Sequence, residues 1–313
     1  MKPATAFLFP GQGSQFVGRG RSLFEKEPVA RARFEEADAL LGCSLSKLCF
    51  NGPEEDLRQT QNQQPALFVC SVAACDALRE RDIEPYCVAG HSLGEYAALY
   101  AAGVFDFETG LRLVAQRAQA MAEVGRNAPG AMAAVLGLDL EKVQSLCAEA
   151  SASDGVVVVA NDNSPGQTVI SGAPAAVNRA CDLARTAGAR RVTPLPVSGA
   201  FHSPLVEPVR KTMESILASK KLNVPRCKYV ANVTGLPESD PEAIRAALVR
   251  QITSRVRWVE AVRSIAALGV TAALEVGSGR VLAGLVKRIE EGISVQAAGT
   301  AEEIHALVEG KGN

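Results

Sequence analysis

Tyr86-Cys87-Val88-Ala89-Gly90-His91-Ser92-Leu93-Gly94-Glu95-Tyr96-Ala97-Ala98-Leu99-Tyr100-Ala101-Ala102 runs from a short apolar segment, through a glycine-bounded turn, into small helix formers. The apolar segment is short and closes on Gly90, which predicts a buried strand. The alanine-rich segment predicts a helix. Between them, Gly90-His91-Ser92-Leu93-Gly94 matches G-x-S-x-G in the strand–turn–helix setting that a nucleophile elbow requires. The glycines permit a tight turn that lifts Ser92 to the carboxyl edge of a sheet. The following helix then aims its partial positive charge at the hydroxyl and at any oxyanion beside it, and the Leu93 N–H becomes a candidate donor. The bare pattern also occurs in plain glycine-rich turns; its flanking strand and helix favour chemistry here.

The same alternation extends outward. Ala6-Phe7-Leu8-Phe9, closed by Pro10-Gly11, predicts another buried strand. Gln64 to Arg81 carries helical spacing with Pro65 near its start, and Asp106 is placed as the N-cap of a helix to about Val124. Strands alternating with helices indicate a parallel α/β sheet. The middle of the chain changes rhythm. Strands are expected at Ala131–Leu136, Val156–Ala160, Gln167–Ser171 and Arg190–Leu195, with helices at Asp139–Ala150 and Pro174–Gly188. That order is β-α-β-β-α-β, the ferredoxin-like pattern. Asn127-Ala128-Pro129-Gly130 and Pro194-Leu195-Pro196 are suitable boundaries. Further short strands are expected near Tyr229–Ala231 and Ala272–Val276. The expected fold is therefore α/β: an α/β-hydrolase-like large domain with a parallel sheet, residues 1–126 and 198–313, and an inserted ferredoxin-like small subdomain, residues 127–197.

Bulk properties narrow the function classes. A chain of 313 residues can bury a large core. Its 33 basic and 34 acidic residues leave a formal net charge of -1, which gives no bulk pull toward nucleic acid. No apolar run approaches the ~20 residues needed to span a bilayer. The opening Met1-Lys2-Pro3-Ala4-Thr5 leads into an apolar run too short for a signal-peptide core, so a cytoplasmic protein is expected. The eight cysteines contain no C-x-x-C pair, and there are only three histidines, so no metal site is expected. Reduced cysteines acting as small hydrophobes are the simplest reading.

A serine hydroxyl needs a base to attack near neutral pH. His91 is adjacent to Ser92 and is expected to pack or hydrogen-bond behind the elbow. His305 lies in a helical C-terminal segment and is expected at the surface. His202, in Val197-Ser198-Gly199-Ala200-Phe201-His202-Ser203-Pro204, sits in a loop after a strand, where catalytic groups are commonly carried. It is the candidate base; a loop histidine with only local hydrogen bonds is the alternative. Phe9-Pro10-Gly11-Gln12-Gly13-Ser14-Gln15 lacks the Gly-Lys-Ser/Thr ending of a phosphate loop. A turn after a first strand can instead offer a backbone N–H to an oxyanion, with Gln12 the candidate donor. Arg117 and Met121 are four residues apart and share a helix face. A guanidinium pointing into a cleft calls for a carboxylate or phosphate; a solvated arginine is the alternative.

Taken together, these motifs resemble the malonyl-CoA:acyl carrier protein transacylase family and are similar to acyltransferase domains of polyketide synthases. The resemblance keeps motif order over nearly the whole chain. It rests on Phe9–Gln15, Gly90–Glu95, Gln116-Arg117-Ala118-Gln119-Ala120-Met121, Ala160-Asn161-Asp162-Asn163-Ser164-Pro165-Gly166-Gln167, Gly199–Pro204, and Gln251 seven residues before Trp258. It implies that Ser92 carries the acyl group and that His202 acts as base and acid. It also implies that Gln12 and Leu93 form the oxyanion hole and that Arg117 pairs with the malonyl carboxylate, with Met121 and Phe201 at the substrate. Phe201 beside His202 resembles the malonyl-type version. The Gln251 backbone carbonyl is implied to orient His202 in place of a triad carboxylate. The implied substrate is malonyl-CoA, and the implied partner is an acyl carrier protein that brings its own phosphopantetheine. No cofactor, metal, nucleic acid or membrane is implied, and a monomer is expected. Arg190, Arg191, Lys287 and Arg288 are candidates for a basic rim facing an acidic carrier.

Two other readings compete. A serine hydrolase or thioesterase of α/β type shares G-x-S-x-G, and Asp154 could serve a Ser-Asp pairing, although Asp154-Gly155 reads more simply as a turn before Val156–Val159. A non-catalytic carrier-binding module would not need Ser92 at all.

Overall fold

The computed structural model describes residues 4–13, 16–197 and 199–309. Ser14 and Gln15 of the opening loop, Ser198 before the histidine loop, and Met1, Lys2 and Pro3 lie outside the described residues.

Eleven strands are described: β1 Thr5–Phe9, β2 Cys87–Gly90, β3 Ala131–Leu136, β4 Val157–Ser164, β5 Gln167–Gly172, β6 Arg191–Pro194, β7 Lys228–Val230, β8 Pro237–Glu238, β9 Val256–Arg257, β10 Ala272–Val276 and β11 Ser294–Ala298. Six form one sheet in the order β11-β10-β1-β2-β7-β8. All neighbours in it are parallel except the edge pair β7 and β8. A parallel sheet must be covered on both faces, so its central strands are apolar on both sides. In β1, Phe7 and Phe9 face the helices Thr60–Arg79 and Phe107–Asn127, while Ala6 and Leu8 face Trp258, Val262 and Leu282. Side chains alternate across a strand, so a single pentapeptide feeds both cores.

The remaining strands form a second sheet, β6-β3-β5-β4-β9. Its first four strands are antiparallel neighbours, and with the helices Leu140–Asp154 and Pro174–Thr186 they give the β-α-β-β-α-β order. Val135, Val159 and Ile170 close a separate small core against these helices. The fold is thus an α/β-hydrolase-like large domain with an inserted ferredoxin-like subdomain.

Three details depart from the sequence expectation. The helix expected from Gln64 begins at Thr60, because Gln59 accepts backbone bonds from Asn62 and Gln63; Pro65 therefore lies in its second turn. The strand expected to end at Ala160 continues through polar Asn161, Asp162, Asn163 and Ser164, leaving Pro165-Gly166 as the turn. Those residues stay extended because Asn161 and Asp162 pair in parallel with Val256 and Arg257 of β9, which arrives from the other part of the chain. Strands β8, β9 and β11 had no expectation; the first two have only two residues each.

Candidate active site

The sharp turn after β2 brings Ser92 to the carboxyl edge of the large sheet, as the glycine spacing predicts. Its cost is visible in the backbone: Ser92 is held at φ 50, a left-handed conformation that is unfavourable for a residue with a Cβ. Gly94 and Gly90 make the turn possible. A Cβ on Gly94 would lie 2.1 Å from the Phe9 carbonyl oxygen, and one on Gly90 would lie 2.0 Å from the Gly94 backbone. The helix Gly94–Ala101 can therefore approach β1 only because these positions lack side chains. Asn232, just beyond β7, braces the elbow. Its side-chain oxygen accepts from the Ser92 N–H at 2.7 Å, and its Nδ2 donates to the Gly90 carbonyl at 2.6 Å.

His202 reaches Ser92 from 110 residues away, with Nε2 2.7 Å from the serine Oγ. It too has a left-handed backbone, at φ 58. Its Nδ1 lies 2.9 Å from the Gln251 backbone carbonyl. A carbonyl only accepts, so Nδ1 carries the proton and Nε2 presents a lone pair to the Ser92 hydroxyl. That tautomer is the one a general base needs. Burial, followed by the nearby Arg117 charge, pushes His202 down to about 3, so the ring is neutral across the physiological range.

Arg117 is fully buried on the helix Phe107–Asn127, whose N-terminus is capped by Asp106 accepting from the Thr109 N–H. Its Nη1 donates to Gln64 Oε1 at 2.6 Å. Its Nη2 reaches Gln251 Oε1 at 3.1 Å and Ser92 Oγ at 3.4 Å, while Nε has no protein partner. The guanidinium also lies over the Tyr96 ring, 5.8 Å from its centre. Burial lowers its pKa, while Tyr96 and Glu95 oppose that effect. A buried cation with no direct ion pair, beside a serine–histidine pair, is prepared for an anionic part of a ligand.

The other expected residues gather here with different degrees of contact. Leu93 is buried at the start of the elbow helix, behind Ser92. Gln12 lies in the turn after β1, and its side chain donates to Gln63. That turn packs against the elbow: a Cβ on Gly11 would lie 2.5 Å from the His91 carbonyl oxygen, and the His91 N–H donates to Phe9. Met121 is buried and its sulfur accepts from Gln64 Nε2 at 3.2 Å, so it bears on the residue that holds Arg117. Phe201 is buried beside Gly199.

His91 turns away from the hydroxyl. It contacts Asn163 Oδ1 at 2.8 Å and the Trp258 ring edge-on at 5.5 Å. His305 sits at the surface beside Glu27. Asp154 ends a helix of the small subdomain, and its side chain accepts from Ser153.

Sequence reasoning missed four site neighbours: Gln64, Glu95, Asn232 and the amide side chain of Gln251. Glu95 was visible only as the residue after the elbow. It is fully buried, accepting from the Tyr229 hydroxyl, the Asn232 N–H at 2.7 Å and Gln251 Nε2. Only a short apolar run near Asn232 and the Gln251–Trp258 spacing marked the other side.

Among the described residues, no helix is long and apolar enough to cross a membrane. The family model described as "Acyl transferase domain" matches residues 6–308. The malonyl CoA-acyl carrier protein transacylase of Bacillus subtilis is 40% identical over 304 residues, covering 97% of this chain and 96% of its own. That of Escherichia coli K12 is 43% identical over 305 residues, covering 97% and 98%. The solved transacylase of Coxiella burnetii superposes with a TM-score of 0.94 at 38% identity, covering 98% and 97%. A malonyl-transacylase solved in complex with a type II polyketide synthase acyl-carrier protein gives 0.94 at 42% identity, covering 98% and 99%. This chain, with its elbow serine, neutral histidine and buried arginine, belongs to the acyl transferase domain family, alongside these malonyl CoA-acyl carrier protein transacylases.

Proposed function

We propose that this protein transfers the malonyl group of malonyl-CoA to the phosphopantetheine thiol of an acyl carrier protein, through a malonyl ester on Ser92, for fatty acid or polyketide synthesis. One observation carries the reading: a single hydroxyl, Ser92 Oγ, lies 2.7 Å from a neutral imidazole nitrogen and 3.4 Å from a buried guanidinium.

In the first half-reaction Ser92 Oγ attacks the thioester carbon while His202 Nε2 takes the hydroxyl proton. The carbonyl oxygen becomes an oxyanion held by the Leu93 and Gln12 N–H groups. Collapse expels the CoA thiolate, and the imidazolium returns its proton to that sulfur. In the second half the carrier thiol gives His202 a proton and attacks the Ser92 ester; the proton returns to serine oxygen as that bond breaks. One thioester is consumed and one is formed, so the exchange is close to balanced and reversible. The steps close with serine and histidine alone, and no cofactor is invoked.

Arg117 is assigned to the malonyl carboxylate, with Phe201 and Met121 at the acyl pocket and the Gln251 carbonyl holding the imidazole. We assign residues 1–126 and 198–313 to the catalytic domain and 127–197 to the insert, a division supported by the insert's separate core. We assign a cytoplasmic setting, in line with the reading of the cysteines as small hydrophobes, six of them buried. We assign a monomeric state.

The test is acceptor dependence. With malonyl-CoA and the purified protein, CoA release should stop after one equivalent and resume when a phosphopantetheine-bearing carrier is added. Continuous release of CoA and free malonate without any thiol would assign the protein to the thioesterases instead.

A further inference from the structure

The hydrogen bonds around Glu95 go beyond this assignment of roles, although their meaning for catalysis rests on it. Every group that faces this carboxyl donates. The Tyr229 hydroxyl and the Asn232 N–H point at Oε1, and Gln251 Nε2 points at Oε2. The Asn232 and Gln251 N–H groups can only donate, one to each carboxyl oxygen, and this favours the ionised form; burial raises the Glu95 pKa, while these bonds, the Tyr229 hydroxyl and the Arg117 charge oppose that rise. With an N–H group aimed at each oxygen, Glu95 is set up as a buried carboxylate, and Arg117 is the cation whose charge acts on it.

The two charges do not touch; the Gln251 side-chain amide stands between them. Arg117 Nη2 donates to its oxygen at 3.1 Å, and its nitrogen donates to Glu95 Oε2. The same Nε2 also donates to the Ser92 carbonyl at 2.9 Å, and the backbone of the same residue holds His202 Nδ1. On its other oxygen, Glu95 fixes Asn232, which clamps Gly90 and the strained Ser92. One carboxylate thus bears, at one remove, on Ser92, His202 and Arg117.

We propose that Glu95 is the positioning carboxylate of this site, neutralising Arg117 through the Gln251 amide while leaving the guanidinium open to the substrate's carboxylate. A direct ion pair would saturate Arg117 and compete with malonyl; an uncompensated buried guanidinium would destabilise the free enzyme. An intervening amide avoids both. It also serves the orienting purpose of a triad carboxylate without contacting the imidazole.

The charge balance separates this from a merely structural hydrogen-bonding role. Glu95→Gln removes the charge and opposes one amide N–H to another. Acylation of Ser92 by malonyl-CoA should fall about 100-fold, the scale of a lost ångström of alignment. Malonylation should raise the Tm of Glu95→Gln more than it raises that of the wild type, because the substrate carboxylate supplies the missing charge. Acetylation should not. Should Glu95→Gln fold poorly, the double variant Glu95→Gln/Arg117→Met must be more stable than the single one, since the orphaned cation is gone. Equal Tm gains on malonylation, or a double variant no more stable than Glu95→Gln, would overturn the proposal. Failure of wild-type Ser92 to accept malonyl would overturn the transfer reading, while the substrate-free stability comparison would still decide the Glu95–Arg117 balance.

Discussion

In the proposed mechanism Ser92 depends on three neighbours, two at its hydroxyl oxygen and one at its backbone N–H. His202 presents a lone pair at 2.7 Å, Asn232 holds the serine backbone, and Arg117 stands 3.4 Å off. On the proposed assignment, removing the guanidinium removes the charged partner of a malonyl carboxylate and leaves the acyl chemistry in place. Arg117→Ala should lower malonyl transfer by about 100-fold, the equivalent of roughly 3 kcal/mol for hydrogen bonds to a charged group, with acetyl transfer affected far less. Acylation rates with malonyl-CoA and acetyl-CoA measure this directly, and an unchanged ratio would remove Arg117 from substrate selection. The imidazole makes a second prediction. Its pKa is lowered in the folded enzyme to about 3, below the unfolded value of about 6.5. The base therefore stays neutral as pH drops through 6.5, and kcat/KM for acylation should show no inflection there; an acid limb centred near 6.5 would contradict the assignment. Stability takes the same sign. The unfolded chain binds a proton near 6.5 that the folded chain refuses, so this contribution is full above 6.5 and is lost as pH falls toward 3.

Those residues are placed by short elements with tight approaches. The elbow helix crosses β1 at a distance only glycine allows, since a methyl at Gly94 would meet Phe9 backbone oxygen at 2.1 Å. Backbone cannot yield as a side chain can. Gly94→Ala should cost about 3 kcal/mol on the scale of core overpacking and should abolish Ser92 acylation together with the fold's best register. A thermal melt and an acylation assay check both halves. The helix bearing Arg117 depends on the Asp106 cap, so Asp106→Ala should cost about 1 kcal/mol in chemical denaturation with little change in the acyl preference. What was legible in the sequence follows the same division. Strand β2, the elbow and the Asp106 cap are local features, written within a few residues, and each was read correctly. The continuation of β4 through Asn161–Ser164 was not legible, because polar residues there are held extended by β9, a two-residue strand from far along the chain. Glu95, Gln64, Asn232 and the Gln251 side chain were hidden for the same reason. Their bonds join positions up to 159 residues apart, and an isolated glutamine or glutamate carries no periodic signal.

At the scale of the molecule, the two sheets come together behind the elbow, where Asn163 of one meets His91 of the other. The parallel sheet supplies Ser92 from β2 and the Gln12 turn from β1. The insert reaches across with Asn163, which holds His91 behind the elbow. Arg288 on the large domain donates to Gln167 at the insert's hairpin at 2.6 Å, a second contact between the two parts. Lys287, Arg190 and Arg191 lie on the same two parts. With a net charge of only -1 overall, steering of the proposed acidic carrier would have to come from local groups, for which these are the candidates. Reversing Lys287 and Arg190 to glutamate should weaken the carrier step and flatten its salt dependence, while acylation by malonyl-CoA proceeds as before. Equal salt sensitivity in both proteins would place docking elsewhere.

The central claim is that Ser92 and His202, brought together from opposite parts of the chain, hold the malonyl group in transit. Peptide-level mass spectrometry of the protein mixed with malonyl-CoA tests it most directly. The account predicts a malonyl ester confined to the peptide containing Ser92, absent in Ser92→Ala, greatly slowed in His202→Ala, and discharged by a carrier thiol. A malonyl group on any other residue, or an unmodified Ser92 in a protein that still charges the carrier, would contradict it.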